Sequence, residues 1–284
     1  MEDRLVEYLV FTDLDGTLLD EDTYRFDAAG PALKLLKDRN IPVILCSSKT
    51  RLELEHYRSL LKNHHPFVAE NGGAVFIPKR YFGFSASHTI RDEYEVLEFG
   101  LSYAILIRAL EQCRRETGVR VTGFHELSTE EVARLTGLPL QEAQWARIRE
   151  YDEPFLLHEE NDRPVIEEWV RREGMRIIRG RRFSHLTGSN DKGKAVRMLL
   201  NLFRRDGDWR VVSLGDSPND LPMLEEADVP MLVQHPDGTH DPRVQGPKIV
   251  RVDGIGPAGW NRAILELLAD GRGEIARAQQ RQGE

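Results

Sequence analysis

Three polar clusters, each directly after an apolar run, hold the residues best suited to chemistry: Asp13-Leu14-Asp15, Ser47-Ser48-Lys49 and Gly215-Asp216-Ser217-Pro218-Asn219-Asp220. In an open parallel sheet, residues just past the strand ends share one edge, and ligands bind along that edge. The three clusters are therefore expected to converge, crowding Asp13, Asp15, Asp216 and Asp220 together. Carboxylates so close cannot all stay ionised unaided, because each raises its neighbours' pKa. A hard divalent cation resolves the conflict. Oxygen ligands suit Mg²⁺, which takes one or two carboxylates and keeps room for substrate oxygens. No histidine stands near the clusters in the sequence, which argues against zinc.

The elements that must position these clusters alternate. Residues 8–12 are a short apolar, partly β-branched run stopped by Asp and Gly, which predicts a buried strand. A helix is predicted over 28–39, a strand over 41–46 and a second helix over 51–62. Short strands are expected at 67–69 and 74–77, around the turn Asn71-Gly72-Gly73. Strands alternating with helices imply βαβ units and a parallel sheet. Residues 85–188 carry more charge and mix strands (94–99, 119–122, 155–158, 175–179, 183–186) with helices (102–117, 128–135, 139–148, 161–173). Alternation resumes with a helix at 191–204, a strand at 209–214, a helix from Asn219, strands at 229–233 and 248–252, and a helix at 260–269. The expected fold class is α/β: a Rossmann-like parallel-sheet core over 1–84 and 189–284, split by an inserted α+β domain over 85–188. The Arg/Gln/Gly-rich stretch 271–284 has no apolar stripe and is expected to be a solvated tail.

Whole-chain properties narrow the function classes. The length suits roughly two domains. A net charge of −8, from 39 basic and 47 acidic residues, offers no basic face for nucleic acid. No apolar run approaches the roughly 18 residues of a membrane span. The N-terminal stretch lacks a basic segment followed by an apolar one, so no signal peptide is expected. Two cysteines, Cys46 and Cys113, are too few for a disulfide framework or a closed cysteine zinc site. The expectation is a cytoplasmic protein that engages neither nucleic acid nor membrane.

These clusters, in this order, resemble the haloacid dehalogenase-like phosphatase superfamily. Asp13-Leu14-Asp15-Gly16-Thr17 is similar to its first motif, and Ser47 stands where its second places Ser or Thr. Lys192, opening Asp191-Lys-Gly-Lys-Ala195, matches the third-motif lysine, and Gly215-Asp216 with Asn219-Asp220 matches the fourth. The insertion between motifs two and three looks like the family's large C2-type cap. The resemblance implies a Mg²⁺-dependent phosphomonoester hydrolase. A carboxylate in line with phosphorus can form an aspartyl-phosphate, a role that falls to Asp13. Asp15 would protonate the leaving alcohol and later deprotonate the attacking water. Asp13, the Asp15 main-chain carbonyl and Asp216 would hold the metal, with Asp220 a direct or outer partner. Ser47, Ser48, Lys192 and Asn219 would contact the phosphate. Plain readings compete. Ser47 and Ser48 could cap the helix at 51–62, Asp220 the helix after it, and Lys192 could be a solvated helix-start lysine.

Within that superfamily, further segments are similar to the mannosyl-3-phosphoglycerate phosphatase family. They are Cys46-Ser-Ser-Lys-Thr50, Glu70-Asn-Gly-Gly-Ala74, Glu98-Phe-Gly100, Arg149-Glu-Tyr-Asp-Glu-Pro-Phe155 and Gly180-Arg-Arg-Phe-Ser-His-Leu-Thr-Gly188. That resemblance implies a phosphorylated sugar–glycerate substrate and a product that is a compatible solute. Such a substrate carries a carboxylate, which a forked arginine suits. Arg181, Arg182, His185 and Thr187 are the expected cap contacts. Alternatives are a sucrose- or glucosylglycerate-type phosphatase, a phosphomutase, and a non-catalytic phospho-ligand binder on the same scaffold. Gly254-Ile-Gly-Pro-Ala-Gly259 has G-x-G-x-x-G spacing but no second strand to complete a dinucleotide unit, so it reads as a loop and helix start.

Overall fold

The apolar runs and amphipathic stretches form the expected elements in a computed structural model that describes residues 7–180, 183–205 and 207–269. In chain order these are β1 (Glu7–Thr12), α1 (Gly30–Asp38), β2 (Val43–Cys46), α2 (Arg51–Leu61), β3 (Phe67–Ala69), β4 (Ala74–Pro78), β5 (Ile90–Arg91) and β6 (Tyr94–Glu98). Next come α3 (Tyr103–Thr117), β7 (Val121–Gly123), α4 (Thr129–Thr136), α5 (Leu140–Ala146), β8 (Asp152–Leu157), α6 (Arg163–Arg172), β9 (Arg176–Arg179) and β10 (Ser184–Thr187). The chain then runs through α7 (Lys192–Phe203), β11 (Trp209–Gly215), α8 (Leu221–Glu225), β12 (Val229–Gln234), β13 (Val250–Ile255) and α9 (Gly256–Ala269). The expected tail at 271–284 lies outside the described residues.

Packing divides the chain into two units, residues 1–47 with 196–284, and residues 48–195. The first contains parallel strands in the order β13-β12-β11-β1-β2. From β1 the chain steps one way to β2, and its later strands lie on the other side, with Val10 facing both Val43 and Val212. The strand order thus reverses between β1 and β11, which makes their carboxyl ends the switch point where an open α/β sheet binds ligands. The strands read as near-continuous apolar runs because both faces are buried: Leu9, Val10 and Phe11 in β1, Val211, Val212 and Leu214 in β11. α9 begins at Gly256, earlier than the expected residue 260, and its fully buried Trp260 donates from Nε1 to Thr12 Oγ1 at 3.0 Å.

The second unit begins well before residue 85. β3, β4, β6 and β5 pair in that order, all antiparallel, with Val75 opposite both Val68 and Leu97. Hydrogen bonding therefore ties residues 67–78 to 90–98, and no break falls at 84. A separate antiparallel sheet, β7-β8-β10-β9, carries α3 and α6 on one face. Leu106 and Cys113 of α3 and Ile166 of α6 pack there against Phe155 and Leu186. Both cysteines are buried and neither forms a disulfide.

Candidate active site

Four neighbouring parallel strands each end one residue short of a polar side chain: β1 before Asp13, β2 before Ser47, β11 before Asp216 and β12 before His235. Asp13 is 5 % exposed, and its backbone N–H donates to Leu214 of β11 at 2.9 Å, so the main chain is tied down at the residue itself. Behind it, Thr12 is held by Trp260. The chain then turns tightly, with Thr17 and Leu19 both donating to the Leu14 carbonyl, and a bridge joins half-buried Asp15 to Leu19. The turn is latched to β11 by Thr17, whose hydroxyl donates to Asp216 Oδ1 at 3.2 Å.

Asp220 shapes the opposite side. Its Oδ2 accepts from the backbone N–H groups of Asp216 and Ser217, each at 3.1 Å, folding the Gly215–Asp220 loop back on itself. Only glycine allows this at 215, because a Cβ there would stand 2.5 Å from the Asp220 Cβ. Asp220 makes no side-chain cap to α8 itself, but its carboxylate closes a capping box with Ser217 on the 3-10 turn Pro218–Asp220 that leads into that helix, so a capping role stands beside the cluster. Asn219 is half-buried and accepts from the Ser217 hydroxyl at 2.5 Å. Carboxylate oxygens of Asp13, Asp216 and Asp220, all buried, lie within 4.8 Å of one another. Three hard oxygen donors whose charges repel at that separation fit a small divalent cation.

His235 is the residue that sequence reasoning missed. Its Nε2 donates to the Asp216 main-chain carbonyl at 2.9 Å and stands 3.4 Å from Oδ2. The expectation that no histidine approaches the cluster is therefore corrected. The available signal was positional, since His235 is the first residue past a strand of the same sheet. Pointed at a carbonyl as a donor, the ring cannot simultaneously ligate a metal through that nitrogen, and the site's donors remain oxygen. The Asp216 hydrogen bond holds its imidazole above the ordinary value.

Other expected residues belong to the second unit. Ser48 is half-buried, and its carbonyl accepts from Arg149 Nη2 at 2.7 Å. The N-cap of α2 is Thr50, in a reciprocal capping box with Glu53, so neither Ser47 nor Ser48 is spent on capping. Lys192 is 1 % exposed, which overturns the solvated-lysine reading. Asp191 caps its helix by accepting from Lys194 N at 2.8 Å, and offsets the cost of a cation at a helix start. Glu70, Asn71 and Gly72 have φ of 48°, 55° and 81°. This left-handed turn presses Gly72 so closely on Asp191 and Lys192 that a Cβ would fall 2.1 Å from the Asp191 oxygen. Thr187 is fully buried and donates to the Gly188 carbonyl. His185 pairs with Asp152 at 2.8 Å. Arg181 and Arg182 lie outside the described residues.

Residues 10–95 and 184–235 match the profile of haloacid dehalogenase-like hydrolases. A glucosyl-3-phosphoglycerate/mannosyl-3-phosphoglycerate phosphatase of Methanococcoides burtonii is 49 % identical over 93 % of this chain and 98 % of its own length. The chain belongs to the haloacid dehalogenase-like hydrolase family. A second relative, a mannosyl-3-phosphoglycerate phosphatase of Pyrococcus furiosus, is 36 % identical over 79 % of this chain and 90 % of its own. Among solved structures, a phosphatase of this family from Bacteroides thetaiotaomicron covers 95 % of this chain and 97 % of its own with a TM-score of 0.65 at 17 % identity. A protein from Thermoplasma acidophilum covers 93 % and 99 %, with a TM-score of 0.67 at 18 % identity. These distant structures share the family's α/β fold. As a family member the protein is a phosphatase, and none of its described helices is long and apolar enough to cross a membrane.

Proposed function

We propose that the protein hydrolyses the phosphate monoester of a hexosyl-3-phosphoglycerate, releasing a hexosylglycerate. The observation that carries this reading is the 49 % identity, spread over nearly all of both chains, to a phosphatase named for both the glucosyl and the mannosyl ester. We propose that both epimers are accepted.

In the proposed mechanism Asp13 attacks phosphorus through a carboxylate oxygen, and the bond to the glycerate oxygen breaks as Asp15 delivers a proton to it. Asp15 then takes a proton from water, which attacks the aspartyl-phosphate and frees inorganic phosphate. The buried acidic trio supports a cation site in which Asp13, Asp216 and the Asp15 carbonyl would hold Mg²⁺, with Asp220 completing or bracing the set. When bound, the ion would supply positive charge for the phosphoryl oxygens. Lys192, Ser47, Ser48 and Asn219 are proposed to bind those same oxygens, in a reaction whose catalysis is mostly electrostatic. The buried thiols suit a reducing compartment, and the cytoplasm is the proposed setting.

Phosphate release measured over a panel of monoesters, with Mg²⁺ and with chelator, tests the proposal. The expected result is highest kcat/KM on the mannosyl and glucosyl esters, lost with chelator and restored by Mg²⁺. Higher kcat/KM on an unrelated sugar phosphate would replace the substrate assignment, and a strict need for a bisphosphate activator would indicate a mutase.

A further inference from the structure

Asp216 is held from three sides within its own unit. Its backbone N–H donates to Asp220 Oδ2 at 3.1 Å, and its Oδ1 accepts from the Thr17 hydroxyl at 3.2 Å. On the third side, His235 Nε2 stands 2.9 Å from the Asp216 main-chain oxygen and 3.4 Å from Oδ2. Both neighbours are acceptors, so that nitrogen carries a proton and points it at them. The ring thus meets Asp216 twice, at the backbone and at the carboxylate. Local structure delivers it there. β12 pairs with β11, and His235 is the first residue past the end of β12. In the turn that follows, the His235 N–H donates to the Thr239 carbonyl at 2.8 Å and the Gly238 N–H to the His235 carbonyl at 2.9 Å. Gln234 pins that turn from the strand. Its Nε2 donates to the Gly238 carbonyl at 2.8 Å, and its Oε1 accepts from the Gly254 N–H at 2.6 Å. Gly254 opens the G-x-G-x-x-G stretch, which is thereby tied to the turn that carries the histidine.

We infer that His235 is a positioning residue for the cation site, its Nε2–H fixing the main chain and carboxylate of Asp216 in the orientation that a divalent cation needs, with Gln234 setting the ring. The inference rests on the proposed Mg²⁺ reading of the acidic trio and names a supporting residue for it. The need is electrostatic. Carboxylate oxygens of Asp13, Asp216 and Asp220 lie within 4.8 Å of one another, and their repulsion favours swinging Asp216 out of the cluster. A donor already in contact with Asp216 opposes that swing and lowers the cost of assembling the site. Groups that orient a metal ligand from behind in this way are commonly worth about tenfold to a hundredfold in affinity.

Calorimetric titration of the full-length, metal-stripped protein with Mg²⁺ tests this on wild type, on His235→Phe, which keeps a ring without the donor, and on His235→Gln, which keeps a donor without the ring. His235→Phe is expected to bind Mg²⁺ about tenfold or more weaker, and His235→Gln to recover most of that loss. In phosphate release from p-nitrophenyl phosphate, the Mg²⁺ concentration giving half the maximal rate is expected to rise in the same order, while kcat at saturating Mg²⁺ stays within about threefold of wild type. Unchanged Mg²⁺ affinity in His235→Phe overturns the inference. Equal weakening in both variants also overturns it, because the ring would then only fill space. If His235→Phe does not fold, His235→Ala is read in its place by the same criteria. A wild-type protein that binds no Mg²⁺ overturns the cation reading and this inference together, whereas one that binds it while the variants match it overturns this inference alone.

Discussion

Asp13 combines two conditions a carboxylate nucleophile needs: its backbone is pinned to β11, and it is shielded from water, at 5 % exposure. Asp13→Asn removes the attacking charge while conserving shape. Phosphate release is expected to drop at least about a thousandfold, and activity near wild type would reject the aspartyl-phosphate mechanism. Asp216→Asn removes one donor of the buried trio. Calorimetric titration of the apoprotein with Mg²⁺ is expected to show weakening of about tenfold or more, a readout independent of turnover. The grouping of Asp13, Asp216 and Asp220 was legible in the sequence because each belongs to a short string with a turn chemistry of its own, while the carboxylate of Asp15, expected with them, is not part of that trio. His235 was not, since a lone histidine acquires meaning only when β12 is known to lie beside β11. Arg149 and Asp152 stand in a segment that carried the family resemblance, but their burial and pairing were not legible, because composition does not reveal that a charge is buried and paired.

Elements add a constraint that single residues do not show. The turn Glu70–Gly72 holds successive left-handed residues and packs against the start of α7, so its shape sets where Lys192 begins. Gly72→Ala places a methyl on the Asp191 carbonyl at a φ of 81°. We expect destabilisation of at least about 2 kcal/mol by denaturant titration, together with weaker competitive inhibition by inorganic phosphate. A silent substitution would show that the turn can yield. Element positions were readable from periodicity, as with α2 and β11, whose bounds fall within a residue or so of expectation. The extent of the second unit was not readable. It depends on β4 pairing with β6, and antiparallel partners announce themselves only through contacts that a local pattern does not contain.

At the scale of the whole molecule, stability is expected to vary with pH through a buried group of the second unit. Burial, with the Arg58 charge close by, pushes the His65 imidazole down to about 4 from an ordinary 6.5. The folded chain thus refuses a proton that the unfolded chain accepts. Its contribution is complete above about 6.5 and is lost as the pH falls toward 4, by up to about 3 kcal/mol. Urea titrations at pH 7 and 4.5 should show a smaller drop for His65→Gln than for wild type, and identical drops would refute the assignment. The interleaving of β1 with β11 has a consequence for biosynthesis. As the chain leaves the ribosome, β1 and β2 emerge first, yet Val10 must wait for Val212, and Asp13 for Asp216, before the acidic trio exists. The whole of residues 48–195 is made in between, and its strands pair over short separations. The intervening unit can therefore order first, leaving the nascent β1–β2 segment as an apolar edge awaiting its partner. Translation stalled before residue 209 would leave a chain with an organised middle and an acidic trio still unassembled.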